Sequence, residues 1–298
     1  MGESLNTGTT RQLFVDDYVI EETRGVVRTL NQPDKYVGNP VMIPLYPWEG
    51  SLWLYGDVFR DPDGGFRMWY TGPGRGGLPD MASLDFASSA EQGYGTLTGG
   101  FDLDNLRYVM GYATSTDGIV WERPNLGLVD YDGSKDNNIV LDDACPGNVI
   151  EDDRDPDPGR RYKALYFSIE NDKSLLGAGV SVAFSPDGLR WTASQDNPVI
   201  KRSSDFHTLL GWDDLHDRYV AYCRPTTQEG NKTRRIGRAV SEDFVHWTDP
   251  VEVLVPDGDD PPAAELYGMS VFRYEDLYLG QLQVFHAVPE EEQTRNAG

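Results

Sequence analysis

One short pattern constrains this chain more than any other feature, because it occurs three times. Gly111-Tyr112-Ala113-Thr114-Ser115-Thr116-Asp117-Gly118-Ile119-Val120-Trp121 shares its skeleton with Val180-Ser181-Val182-Ala183-Phe184-Ser185-Pro186-Asp187-Gly188-Leu189-Arg190-Trp191. Ile236-Gly237-Arg238-Ala239-Val240-Ser241-Glu242-Asp243-Phe244-Val245-His246-Trp247 repeats it again. The common element is Ser, any residue, Asp, Gly or Phe, two residues, then Trp. Ser and Asp side chains accept backbone N–H bonds, and Gly supplies the positive φ of a tight turn. A tryptophan three residues later can pack between neighbouring sheets, so the role predicted for Asp117, Asp187 and Asp243 is structural rather than catalytic. Repeats at this loose period in an aromatic, β-branched chain predict the blades of a β-propeller.

The rest of the chain follows the same grammar. An apolar run at Trp53–Phe59, a turn carrying Asp63-Gly64 and a strand at Phe66–Tyr70 form a hairpin signal. A long Gly-rich loop (72–100) and a third strand from Tyr108 to Thr114 follow, with Ser115–Trp121 read as turn plus outer strand. The second unit uses Asn148–Asp152, Arg161–Ser168, Gly179–Phe184 and Trp191; the third uses Thr208–Trp212, Arg218–Cys223, Arg235–Val240 and Trp247. A fourth opens with Tyr267–Phe272 and Leu277–Phe285. No convincing helical period appears, so the expected class is all-β. Residues 1–10 read as a disordered lead, 11–285 as one propeller domain and 286–298 as an acidic tail. Leu13–Ile20 reads as an orphan strand that completes the last blade. Three full blades and half a fourth suggest a chain cut short, or one that closes in an unusual way, with an open sheet edge near residue 285.

Composition narrows function. Forty-nine acidic against 26 basic residues give a net charge of −23 and a pI near 4.4. Phosphate contacts need a basic surface, so nucleic acid and anionic membranes are not expected partners. Only six of the basic residues are lysine. That bias suits a strongly hydrated surface in a salt-rich cytoplasm, and equally an ordinary acidic protein kept soluble by its charge. Cys145 and Cys223 make neither a disulfide framework nor a zinc pattern. No signal-peptide core and no 18-residue apolar run is present, so the expectation is a soluble cytoplasmic protein. The four histidines match no metal motif, and Gly72-Pro73-Gly74-Arg75-Gly76-Gly77 lacks the Lys-Ser/Thr of a phosphate loop. No cofactor is expected; a structural Ca²⁺ in the channel is compatible with the acids without being predicted.

With the three Ser-x-Asp…Trp units, Phe59-Arg60-Asp61-Pro62 and Arg154-Asp155-Pro156 in view, the chain resembles the five-bladed β-propeller glycoside hydrolases, the clan of the β-fructosidase-like family 32 and the arabinosidase-like family 43. The resemblance covers residues 11–285. It implies a site at the mouth of the central channel, where carboxylates from the starts of successive inner strands act as base or nucleophile, transition-state stabiliser and general acid. The family 32 Asn-Asp-Pro-Asn-Gly signature and its Glu-Cys pair are absent. The two Arg-Asp-Pro matches fall at hairpin tips and read as turns, although Asp155 is retained as an alternative stabiliser. Position then selects Glu49, Asp142 or Asp143, Asp205 and Glu265 as acids at inner-strand starts. Glu265, beside Leu266 and Tyr267, is the expected general acid because apolar neighbours raise a carboxyl pKa. Glu49, between Trp48 and Trp53, is the expected base or nucleophile, and Asp205 the stabiliser. Asp57 and Asp152 are expected to point inward toward substrate. Trp53, Tyr55, Trp212 and Tyr267 can stack on sugar faces, Trp48 among the same aromatics, and His207 can bond a hydroxyl. Arg75 could reach an anionic or polyol group. Hydrolysis of a glycosidic bond, with a furanoside among the candidate substrates, is the leading expectation; the alternatives are a non-catalytic sugar-binding propeller and an inactive incomplete fragment.

Overall fold

A computed structural model describes residues 8–9, 11–29, 31–50, 52, 54, 56–73, 107–168, 179–201, 203–225, 234–261, 264–275 and 277–286. Trp53, Tyr55 and Arg75 therefore lie outside the described residues. The first sheet contains β1 (Val58–Arg60), β2 (Phe66–Pro73), β3 (Tyr108–Ser115) and β4 (Ile139–Asp142) in that spatial order. The second contains β5 (Cys145–Glu151), β6 (Tyr162–Phe167), β7 (Val180–Ser185) and β8 (Thr192–Ala193), again in chain order. The third contains β9 (Ser203–Asp213), β10 (Arg218–Pro225), β11 (Ile236–Ser241) and β12 (Val251–Leu254). A fourth unit is the hairpin of β13 (Ala264–Tyr274) and β14 (Leu277–His286). All these pairings are antiparallel. The only helical turn among the described residues is Pro158–Arg160, and none of them forms a helix long and apolar enough to cross a membrane. The protein is an all-β propeller built of four-stranded antiparallel blades.

The blades stack in chain order through their first strands. β5 lies against β2 and β3, β9 against β5, β6 and β7, and β13 against β9, β10 and β11. Side chains alternate across each strand, so a central strand serves two interfaces. On β6, Ala164 and Tyr166 enter the cluster shared with Trp69, Met110 and Val149. Leu165, between them in sequence, enters the next cluster with Val180, Tyr219 and Phe244. Burying each large side chain in these clusters is worth roughly 1.5–3 kcal/mol, which makes the inter-blade faces the main source of stability.

The repeated turn forms as its chemistry requires. Ser115 Oγ accepts from Gly118 N at 2.9 Å, and Asp117 Oδ1 accepts from Ile119 N and Val120 N, both at 2.8 Å. Those N–H donors hold the Asp117 carboxyl below the usual carboxylate range. The second and third turns repeat the bonds at Ser185/Asp187 and Ser241/Asp243. Each turn tryptophan donates its indole N–H to the carbonyl three residues earlier: Trp121 to Gly118 at 3.1 Å, Trp191 to Gly188 at 3.0 Å and Trp247 to Phe244 at 3.0 Å. The residue supplying that carbonyl has φ of 76°, 75° and 68° in turn. Gly fits this region freely; Phe244 occupies it at a steric cost offset by complete burial of its ring.

A second repeat ties each blade to its predecessor. Tyr162 on β6 receives a hydrogen bond at its hydroxyl from Arg67 at 2.9 Å, and Arg67 in turn holds Asp61 in the first hairpin at 2.6 Å. Tyr219 on β10 donates its hydroxyl to Asp152 in the second hairpin. Tyr278 on β14 donates to Asp213 in the third at 2.5 Å. The aromatic at the matching place on β2 is Phe66, which has no hydroxyl.

Two expectations about the fold need correction. Leu13–Ile20 forms no strand; Phe14, Val15 and Tyr18 are exposed, and neighbouring Arg11 reaches Tyr274 of β13 at 2.6 Å. The outer strand of a blade is not the segment running into the turn tryptophan. It comes later, at Ile139–Asp142, Thr192–Ala193 and Val251–Leu254, because the turn ends in an indole that folds back onto the turn itself.

Candidate active site at the inner strands

The inner strands of the first two blades approach each other where only glycine fits. A side-chain carbon on Gly56 would fall 2.0 Å from the Trp69 carbonyl oxygen and 2.8 Å from that of Gly147. Gly147 faces the flexible Met110 side chain, with Met110 Sδ 2.6 Å from the place a Cβ would take. This close approach sets Asp57, just ahead of β1, against β5. Its carbonyl accepts from Trp69 N at 3.0 Å, and its carboxyl Oδ2 accepts from Val149 N at 2.5 Å. The Asn148 side chain hydrogen-bonds the same carboxyl. Burial outweighs these two bonds and pushes the Asp57 carboxyl up to about 6. Such a group holds a proton in mildly acidic solution and releases it near neutrality, so it can donate and accept within one reaction cycle.

The other acids selected from the sequence lie on other strands and connections. Asp142, closing β4, is gripped by Arg107 through two bonds of 2.9 and 2.6 Å. Asp143 follows with φ of 50° and accepts the Ser168 hydroxyl. Asp205 lies near the start of β9 and His207 pairs with Cys223 across to β10, which puts both on the third inner strand; their side chains are outside the described set. Glu265 lies at the start of β13, paired with Arg234, while Arg234 also covers Tyr267 at 5.7 Å and Phe285 at 5.2 Å. Tyr267 is half-buried there, with Arg224 over its ring at 5.0 Å and bonded to its carbonyl at 3.0 Å.

Other expected site residues belong elsewhere. Glu49 is 1 % exposed and sits on the face of the first blade turned away from the second. Arg123 Nε donates to its Oε1 at 2.7 Å, Tyr70 donates to the same oxygen, and Leu45 N donates to Oε2 at 2.9 Å. With both oxygens engaged and no solvent path, Glu49 is a structural carboxylate rather than a base or nucleophile. Asp152 lies at the hairpin end of the second blade, bonded to Tyr219, Arg154 and the fully buried Lys163 at 3.1 Å. Asp155 takes the other side of Lys163 at 3.0 Å, so the Arg-Asp-Pro turn is a structural ion cluster. Trp212, half-buried, packs against Tyr219 in a T-shaped arrangement and has the Arg154 guanidinium over its ring at 3.6 Å.

Sequence reasoning missed the partners that sort these acids, namely Arg123, Arg107, Arg234 and Asn148. For Asn148 a signal existed: it precedes Asp152 by the interval at which Asp57 precedes Asp61, so the two face each other across adjacent blades. Among the described residues, no group of three His, Cys, Asp or Glu is arranged to hold a metal ion.

No protein-family model matches this chain, and no curated protein matches it. Solved propeller glycoside hydrolases and phosphorylases do. It is similar to a β-1,2-mannobiose phosphorylase from Listeria innocua at 14 % identity, covering 86 % of this chain and 75 % of the other, with a TM-score of 0.49. A fructofuranosidase from Schwanniomyces occidentalis, complexed with fructosylnystose, matches at 16 % identity over 79 % of this chain and 44 % of its own, TM-score 0.40. A structure described as a glycoside hydrolase matches at 18 % identity and TM-score 0.45; it aligns over 75 % of this chain, which spans 63 % of its length.

Proposed function

We propose that this chain acts on a glycosidic bond at the entrance of its inner strands, with Asp57 as the proton-transferring carboxyl. The observation that carries this reading is the desolvated Asp57 carboxyl, wedged between two inner strands and pushed up to about 6. Among the described residues Asp57 has no countercharge; a buried acid with a displaced pKa lowers stability, and such groups concentrate at functional sites. Asp205, from the third inner strand, is the charged carboxylate that stabilises the oxocarbenium-like transition state. Glu265 with Arg234 orders the substrate hydroxyls, and Tyr267, His207, Trp53 and Tyr55 supply contacts to the sugar. The revision from the sequence reading is that the proton-holding role moves from Glu265 to Asp57, because Glu265 faces a guanidinium.

The test is a screen of aryl furanosides, aryl pyranosides and oligosaccharides with wild type, Asp57→Asn, Asp205→Asn and Glu265→Gln. General acid–base catalysis contributes about 10²–10⁴-fold, so Asp57→Asn loses that much kcat/KM on substrates with poor leaving groups, and the wild-type profile breaks near pH 6. Wild-type kcat/KM in Asp57→Asn refutes the role. Saturable sugar binding without turnover, unchanged in Asp57→Asn, supports instead a carbohydrate-binding propeller.

A further inference from the structure

The innermost segments of the first three blades each place one side chain at the same register. Asp57, Asn148 and Thr208 lie opposite Trp69, Leu165 and Tyr222, which follow Phe66, Tyr162 and Tyr219 at one common interval. Two of the three bond the inner strand of the blade that follows: Asp57 accepts from Val149 N at 2.5 Å, and Thr208 donates to Met269 O at 2.6 Å. Asn148 turns the other way. It is 7 % exposed, and its side chain bonds the Asp57 carboxyl of the blade before it. Among the described residues its Oδ1 is buried and accepts no hydrogen bond, so Nδ2 is the atom that donates to Asp57. No charged group among the described residues acts on Asp57; its surroundings are the buried seam, Val149 N and this amide. A buried acceptor oxygen that meets no donor costs free energy, and its presence in a packed seam calls for a reason.

We propose that Asn148 is the positioning residue for Asp57, an amide that serves both protonation states of that carboxyl. With Asp57 charged, Nδ2 donates to it, the arrangement seen in this structure. With Asp57 protonated, the amide turns over about its last side-chain bond, and Oδ1 accepts the new O–H. A carboxamide carries donor and acceptor on one plane, so the exchange takes half a turn of that plane and no movement of β1 or β5. The glycine seam makes the amide necessary. It sets Asp57 against backbone, and among the described residues Asn148 is the side chain that bonds the carboxyl. A leucine at 148 would meet neither state, and an aspartate would meet one only by sharing a proton. The inference rests on Asp57 as the proton-transferring carboxyl; Asn148 acts through Asp57, holding it in place while the proton comes and goes.

The test follows two NMR signals on the full chain without substrate, the Asp57 carboxyl carbon and the Asn148 side-chain nitrogen, as pH is raised through the Asp57 midpoint. In wild type both are expected to move together with one midpoint near pH 6, and in Asp57→Asn the Asn148 signal is expected to stay still. Asn148→Leu is expected to raise the Asp57 midpoint by about one pH unit, a tenfold change in proton affinity, because a bond to a charged acceptor is roughly twice as strong as one between neutral groups. The break in kcat/KM should rise with it, which loosened packing alone does not produce. Asn148→Asp keeps the shape should the leucine variant not fold. It is expected to give two separated midpoints in place of one, as for two carboxyls sharing a site. An Asn148 signal that is flat through the Asp57 midpoint, or an Asp57 midpoint unchanged in the variants, would overturn the role. A wild type that turns over no glycoside while the two signals still move together would refute the glycosidic reading and leave the pairing standing.

Discussion

Replacing Asp57 by Asn should stabilise this protein, and the gain should depend on pH in a calculable way. An aspartate that titrates at 3.8 when unfolded and at about 6 when folded binds more protons in the folded state between those values. Stability attributable to the group is therefore full below pH 3.8, declines as pH rises through the window, and is fully lost above pH 6. The span of about two pKa units is worth roughly 3 kcal/mol at pH 7.5, an upper value because the residue keeps some solvent contact. Asparagine removes the charge and keeps an acceptor for Val149 N, though a neutral acceptor gives back roughly 1 kcal/mol of that bond. The expected net effect is a gain of about 1–2 kcal/mol at pH 7.5, absent or reversed at pH 4. Urea unfolding of both proteins across this range gives the difference, and subtraction cancels the background titration of a chain with 49 acidic residues. A pH-independent difference, or an asparagine variant less stable at pH 7.5, would refute the assignment of burial as the dominant influence on Asp57.

Other expectations test the framework around the site. Gly188→Ala places a methyl 2.8 Å from the Trp69 ring at φ of 75° and should cost roughly 2–4 kcal/mol in chemical denaturation. Glu49→Ala leaves Arg123 without its carboxylate in a place where Arg123 is 7 % exposed; a loss of about 3–5 kcal/mol is expected, against no loss if Glu49 is solvent-facing. Lys163→Met removes the buried cation between Asp152 and Asp155, which keep Arg154 and Arg160 as partners, and should cost about 1.5–3 kcal/mol, read as a fall in urea midpoint that is smaller at pH 3 than at pH 7. Raising salt from 0.05 to 2 M should raise the melting temperature by screening 23 net negative charges, and unfolding at low salt would favour the salt-rich origin.

The blade order was legible because its signals are local. A Ser-x-Asp turn, a hairpin dipeptide and alternating strands each declare themselves within a dozen residues, and β5, β6, β7, β10 and β11 fall where those signals predict. Among the outer strands, the short polar Thr192–Ala193 gains its structure from a neighbour rather than from its own pattern, whereas Ile139–Asp142 and Val251–Leu254 carry β-branched runs of their own. The site acids were legible as a set but not as individuals. Glu49 and Glu265 both sit beside aromatics in sequence, and what distinguishes them from Asp57 is a distant arginine, Arg123 for one and Arg234 for the other. Among the described residues Asp57 has no such countercharge, because two glycines bring backbone, not basic side chains, against it.

The tyrosine hydroxyls that reach back to the preceding hairpin give the molecule a direction. Tyr162, Tyr219 and Tyr278 each need a hairpin that emerged earlier from the ribosome, and none needs one that emerges later. A chain elongating from its N-terminus can therefore seat every blade as soon as it is made, on a surface already folded. Nearest-neighbour coupling of this kind makes unfolding proceed from exposed ends, as in other stacked-repeat proteins. Of the described blades, the fourth pairs two strands where the others pair four, and amide exchange should find it opening first.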